Sequence, residues 1–210
     1  MILGSDQVQE RGPLSCLLNT VDGPVAVGLS GGTDSAFLLA SAVKYCPGRV
    51  VPVTAVTPFL SWKELGAVRD VCRELGLEPR FVKVSLLEEH DIAFNGEARC
   101  YFCKRRIYQA IKEYCLHAFG GGQVLDGTNL DDLSRHRPGL RALQELEIAT
   151  PLADAGLGKK QIRQMARREG YSFWDRESFS CLATLLPSGI KIEPHRLQAM
   201  GSCYWGFLSF

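Results

Sequence analysis

The sequence predicts a doubly wound α/β protein on a five-stranded parallel sheet, followed by a short C-terminal appendage. Three observations predict it. Short apolar runs alternate with stretches of helical periodicity from Val25 to Gly170, the pattern of strand–helix units wound onto one sheet. The run Arg49–Thr57 (RVVPVTAVT) is almost unbroken in its apolarity, as suits a parallel strand covered on both faces. The run Val25–Leu29 passes straight into Ser30-Gly31-Gly32 and then into an apolar segment, Ala36–Val43. That is a strand, a tight turn and a helix N-terminus.

Residues 1–22 read as a polar lead-in with a short helix around Leu14–Leu18, residues 23–172 as the nucleotide domain, and 173–210 as a cysteine-bearing loop and tail. Val25–Leu29 is the first strand, and Asp34–Tyr45 is the first long helix, ending before Pro47-Gly48. In the second strand, Arg49–Thr57, Pro52 is expected at a strand start or on an edge, because proline gives no ladder hydrogen bond. Ser61 caps the next helix and Glu64 completes a capping box. That helix runs to about Leu75 and stops at Gly76. Arg80–Ser85 is a third strand, Glu88–Glu97 a mostly polar connection, and Arg99–Phe119 has helical periodicity. Gln123–Gly127 is the fourth strand, a helix lies near Leu140–Leu146 after Pro138, Ile148–Pro151 is the expected fifth strand, and Lys159–Gly170 is a basic helix. Ser30, Thr57 and Gly127 all fall at carboxyl ends of strands, where such sheets bind ligands.

The turn Ser30–Ser35 suits a phosphate. Gly31 and Gly32 carry no Cβ to keep a ligand away, the amides behind them form an anion-binding concavity, and a helix dipole points at the same spot. No Gly-Lys-Ser/Thr closes the turn, so it is not the Walker loop, and the spacing is not that of GxGxxG. Asp34 is either a Mg²⁺ ligand that bridges phosphates or a partner of the helix dipole. Cys100 and Cys103 lie one helical turn apart on one face. They read as ligands of one metal, as a redox pair or as buried small hydrophobes. Cys181 lies in a polar loop after the basic helix. At the end of the fourth strand, Gly127 allows close backbone approach, and Arg137 offers a fork for phosphate or carboxylate. Lys104 and Arg106, beside the cysteine pair, either hold such a group or line a solvated helix face.

Ser-Gly-Gly-Thr-Asp-Ser after a buried strand resembles the PP-loop of the ATP pyrophosphatases, which have a Rossmann-like, adenine nucleotide alpha hydrolase-like fold. Further pieces resemble one PP-loop subfamily, the LarE-type ATP-dependent sacrificial sulfur transferases. They are RCYFCK at Arg99–Lys104, DGTN followed by Asp131-Asp132, RPGL at Arg137–Leu140, the segment Pro151–Arg167, and Trp174–Ala183 with its Cys181. The order and spacing of these pieces over Val25–Gly189 carry the resemblance. It implies that ATP with Mg²⁺ binds at Ser30, Gly31, Gly32, Thr33, Asp34 and Ser35, and across the crevice to Thr57, Gly127 and Arg137. It implies that the substrate is a carboxylated pyridinium mononucleotide, destined for a nickel-pincer cofactor, whose carboxylate is adenylylated and then thiolated. Members of the family sacrifice a cysteine at the position of Cys181, or hold a [4Fe-4S] cluster on three cysteines matching Cys100, Cys103 and Cys181.

Two departures stand out. Leu185 and Ser188 occupy positions where the family has arginine and tyrosine, and the uncharged aromatic end Gly201–Phe210 is unlike the family. That end is expected to leave apolar surface exposed and the substrate site incomplete. Related PP-loop enzymes thiolate tRNA, but 24 Lys and Arg against 23 Asp and Glu give a net charge of +1, too little to attract nucleic acid globally. A non-catalytic nucleotide-binding relative is the alternative of another class. The segment 1–11 lacks a secretory core, no apolar run reaches the roughly 18 residues of a membrane span, and the eight cysteines are scattered. A cytoplasmic protein with reduced thiols and no membrane contact is expected. A homo-oligomer is compatible with the sequence.

Overall fold

A computed structural model describes residues 12–134, 137–177 and 179–204. The lead-in residues 1–11, Arg135, His136, Ser178 and the tail 205–210 lie outside the described residues. In chain order the elements are α1 (Pro13–Asn19), β1 (Val25–Gly28), α2 (Thr33–Tyr45), β2 (Val50–Val56), α3 (Trp62–Glu74), β3 (Arg80–Lys83), α4 (His90–Ala93), α5 (Arg99–Phe119) and β4 (Gln123–Leu125). Then come α6 (Leu130–Leu133), α7 (Pro138–Glu145), α8 (Pro151–Asp154), α9 (Lys159–Arg168), a 3-10 turn (Leu182–Leu185) and α10 (Pro194–Ala199).

All strand pairings are parallel, in the order β3-β2-β1-β4. Alternation along β1 sends Val25 and Val27 to one face and Ala26 to the other. The first face packs against Leu18 of α1, Phe37 and Leu38 of α2, and Ile162 of α9. The second packs against Tyr108, Ile111 and Cys115 of α5 and Leu143 of α7. The sheet is therefore covered on both sides.

Two expectations about strands are corrected. Among the described residues the sheet has four strands, not five. Ala149 makes only an isolated parallel bridge to Leu125, donating to the Val124 carbonyl and accepting from the Asp126 amide. Pro151 then opens α8 as its first residue, a place that suits a residue without an N–H. Pro52 is neither at a strand start nor on an edge. It sits third in β2, between β1 and β3. Val53 bonds towards β1, giving its carbonyl to the Leu29 amide, so Pro52 faces the β3 side. There β3 begins pairing only at Val53↔Arg80. The missing donor of Pro52 thus falls where no ladder bond is due.

The capping box predicted at Ser61 and Glu64 is present, with the Glu64 amide donating to Ser61 Oγ and the Ser61 amide to Glu64 Oε2. The segment read as a polar connection instead contains α4, whose Ile92 is fully buried. Ile92 joins Phe59, Leu86, Leu182, Ile192 and Leu197 in one apolar cluster. This cluster seats the chain after Cys181 against the region following β2 and β3. The start of the aromatic end is not exposed. Cys203 and Tyr204 are buried against Val56, Leu60 and Leu65. The Cys203 amide bonds the Leu60 carbonyl and Ser202 Oγ bonds the Pro58 carbonyl. Cys72 and Cys115 are buried, as expected of small apolar residues, and Cys46 is half-buried, whereas Cys16 is exposed.

Phe173, fully buried, seats the segment after α9 beneath β1 and α2. Phe173→Ala is expected to destabilise the fold by about 3–5 kcal/mol, measured as a fall in urea midpoint with an unchanged slope.

Candidate functional site

In the sheet order β3-β2-β1-β4, the chain runs outward from β1 in both directions, so the switch point lies between β1 and β4. A crevice of about 740 Å³ opens there, as the topology requires. Its size suits a nucleotide-sized ligand.

The turn after β1 is held from several sides. Ser35 Oγ accepts from the Ser30 amide at 3.2 Å and donates to the Gly32 carbonyl at 3.2 Å. Gly31 has φ +82°, and a Cβ there would stand 2.9 Å from Ala67 Cβ and 3.0 Å from the Glu64 carbonyl. The turn therefore packs so tightly on α3 that only glycine fits. The N-cap of α2 is Gly32, which brings no side chain to the first turn, and amides at a helix start of this kind favour an anion. Ser30, Gly32, Thr33, Asp34 and Ser35 line the crevice; Gly31 lies behind it as the hinge of the turn.

The opposite wall comes from the end of β4. A Cβ on Gly127 would stand 2.8 Å from Ser35 Cα, so glycine here lets β4 run against the first turn of α2. Asn129 Nδ2 donates to Asp34 Oδ2 at 2.9 Å. Burial raises the Asp34 carboxyl above the usual range, against the opposing pull of Lys159 and Asn129. Asp132, which is buried, has one oxygen that among the described residues receives no well-aligned hydrogen bond, although Arg137 Nη2 stands 3.1 Å from it and Lys159 Nζ 3.8 Å. Thr57 and Arg137, placed at this site from the sequence, both line the crevice.

The floor is a polar set around buried Asp126 that the sequence did not disclose. Asp126 accepts from Lys104 Nζ at 3.0 Å, from the Thr128 amide at 2.7 Å, and from the Thr128 and Tyr108 hydroxyls. Burial alone would raise its pKa, but Lys104 and these donors outweigh burial and hold the carboxyl below its usual range. Burial, then the Asp126 charge, push the Tyr108 hydroxyl well above its ordinary value. Lys104 reaches Asp126 across Gly139, where a Cβ would stand 3.0 Å from Lys104 Cδ. Lys104 thus belongs to the crevice, whereas Arg106 pairs with Glu89 at 2.5 Å.

Cys100, Cys103 and Cys181 line the same crevice as the glycine turn. Burial, then the neighbouring Cys181 and Cys100, push the Cys103 thiol up to about 12. Burial also raises Cys181. Among the described residues, no group of three His, Cys, Asp or Glu side chains is disposed to hold a single metal ion.

Several residues were missed from the sequence. Lys159 and Arg163 line the crevice from α9; their i, i+4 spacing within a basic helix was the available signal. Arg176 Nη1 donates to the Gly31 carbonyl at 2.9 Å and to the Ala67 carbonyl at 3.1 Å. Thr33 Oγ1 donates to the Phe173 carbonyl at 2.9 Å. The segment leading to Cys181 is therefore tied to the glycine turn. Nothing local in the sequence announces contacts across more than a hundred residues.

No family model matches the chain. It is 32% identical over 175 residues to an uncharacterized protein of Synechocystis sp., covering 83% of this chain and 65% of that protein. It is 31% identical over 160 residues to an uncharacterized protein of Methanocaldococcus jannaschii, covering 76% and 60%. It is 27% identical over 170 residues to the pyridinium-3,5-bisthiocarboxylic acid mononucleotide synthase of Lactiplantibacillus plantarum, covering 80% and 61%. The chain thus spans 60% to 65% of the length of these relatives.

Proposed function

We propose that this chain is an ATP-dependent sulfur transferase of the LarE type, acting on a small carboxylated pyridinium mononucleotide. The observation that carries the reading is the sharing of one crevice by the glycine turn and the three cysteines Cys100, Cys103 and Cys181. ATP lays its triphosphate on Ser30–Ser35, with Lys159 and Arg163 facing the same space. A substrate carboxylate oxygen attacks the α-phosphorus, the bond to the β-phosphate breaks and pyrophosphate leaves. The product is an acyl-adenylate. Sulfur then attacks the acyl carbon, AMP leaves and a thiocarboxylate forms.

The residues present fit the groups this chemistry needs. Asp34 and Asp132 are hard oxygen donors beside the turn. Mg²⁺ commonly uses one or two carboxylates together with substrate phosphates, so these two would hold it. Cysteine thiolates suit iron–sulfur sites, and three of them line this crevice. Cys100, Cys103 and Cys181 would be the ligands of a four-iron cluster. With three protein ligands such a cluster would supply an open iron for a transferable sulfide. The second reading is sacrifice of Cys181, and it is favoured by the place of this thiol on the crevice wall. The thiolate attacks the acyl carbon, AMP leaves, and loss of the Cys181 Cα proton then breaks Cβ–S to leave dehydroalanine.

ATP and Mg²⁺ are expected to release pyrophosphate only when the pyridinium dicarboxylate nucleotide is added, and Asp34→Asn is expected to lower that rate at least tenfold. ATP binding with no substrate-dependent release would mark a non-catalytic relative, and tight tRNA binding with a steep salt dependence would favour tRNA thiolation. Anaerobic supply of iron and sulfide is expected to give cluster absorption that Cys100→Ala abolishes. No absorption in the unmodified protein would leave Cys181 as the donor.

A further inference from the structure

Cys181 comes from a segment remote in sequence from Cys100 and Cys103, and something must hold it across from α5. We infer that Asn95 is the positioning residue that aims the Cys181 segment at the cysteine pair. This rests on the sulfur-transfer reading for its purpose, but not for its geometry. Asn95 is buried, in the link between α4 and α5, with φ +51°, a left-handed conformation that asparagine tolerates better than most residues. Its Nδ2 donates to the carbonyls of Pro187 at 2.8 Å, Leu186 at 3.1 Å and, more weakly, Ala183 at 3.4 Å. Its backbone carbonyl accepts from Ser188 Oγ and the Gly189 amide, both at 3.1 Å. Its Oδ1 accepts from Arg99 Nη1. The other guanidinium nitrogen of Arg99 stands 3.4 Å from Cys100 Sγ. One side chain therefore connects the turn just after Cys181 to the residue beside Cys100.

The chemistry admits few substitutes. Arginine cannot accept a hydrogen bond, so the Asn95 oxygen must face Arg99 and its NH₂ must face the carbonyls. An amide is needed to serve both sides. Aspartate would keep Arg99 but set a negative oxygen against three carbonyl oxygens. Glycine would suit the backbone but leave those carbonyls without their donor, a cost that buried groups feel. Ser188, one of the departures from the family pattern, contributes here as a brace on Asn95.

Hydrogen exchange read by mass spectrometry tests this on Asn95→Asp and Asn95→Gly. Exchange in the peptide 181–189 is expected to rise at least tenfold in both variants, while the glycine-turn peptide 28–36 keeps wild-type protection. Wild-type protection of 181–189 in either variant overturns the inference. So does equal loss in both peptides, which would make Asn95 a general stabiliser only. In turnover, thiolated product per pyrophosphate released is expected to fall at least tenfold, with the KM for ATP within twofold of wild type; a ratio that stays unchanged overturns the inference. If no sulfur is transferred even by the unmodified protein, the functional reading fails, and hydrogen exchange still decides the role of Asn95.

Discussion

A parallel strand whose neighbours connect in opposite directions cannot have its carboxyl end covered by both connections. β1 is that strand, with β2 on one side and β4 on the other. The gap it leaves is the crevice, and the glycine turn, Thr57 and Gly127 are there because β1, β2 and β4 end at it. The constraint acts through backbone fit as well as topology. Gly31 against α3 and Gly127 against the first turn of α2 each allow a contact that a Cβ would prevent.

Around this gap the polar groups divide by location. Asp34, Asp132, Lys159 and Arg137 gather near the ends of α2, α6 and α9, with both signs of charge within a few ångströms. Half-buried Lys104 and buried Asp126 and Tyr108 form a hydrogen-bonded set on the floor. Sets of this kind hold their shape, because breaking one partner strands a buried charge. The thiols occupy the remaining wall beside Arg99. Under the proposed sulfur transfer, phosphates would lie among the first group and sulfur at the thiol wall, within one enclosure.

Much of this was legible in the sequence wherever the determinant is local. The Ser-Gly-Gly turn, the Ser61–Glu64 capping box and the long helix Arg99–Phe119 each declare themselves through spacing or periodicity. Thr57 and Gly127 were placed at the crevice because strand ends were readable, and Arg137 through its forked guanidinium and the RPGL piece of the resemblance. What escaped depends on pairing partners. Pro52 is tolerated in an interior strand only because β3 starts late, and Ala149 fails to extend into a strand because Pro151 begins a helix. Asn95 looked like part of a polar link, since the carbonyls it serves lie about ninety residues further on. Asp126 read as a strand end, and its role depends on Lys104 and Tyr108 reaching it from α5.

On the proposed function, nucleotide activation and sulfur delivery occur in the same enclosure. A single turnover with ATP, Mg²⁺ and the pyridinium dicarboxylate nucleotide, followed by mass measurement of small molecules and protein from wild type and Cys181→Ala, tests it most directly. Wild type is expected to give thiocarboxylate, with Cys181 either intact or short by the mass of H₂S, and Cys181→Ala to accumulate acyl-adenylate without thiocarboxylate. Equal thiocarboxylate from both proteins would contradict it.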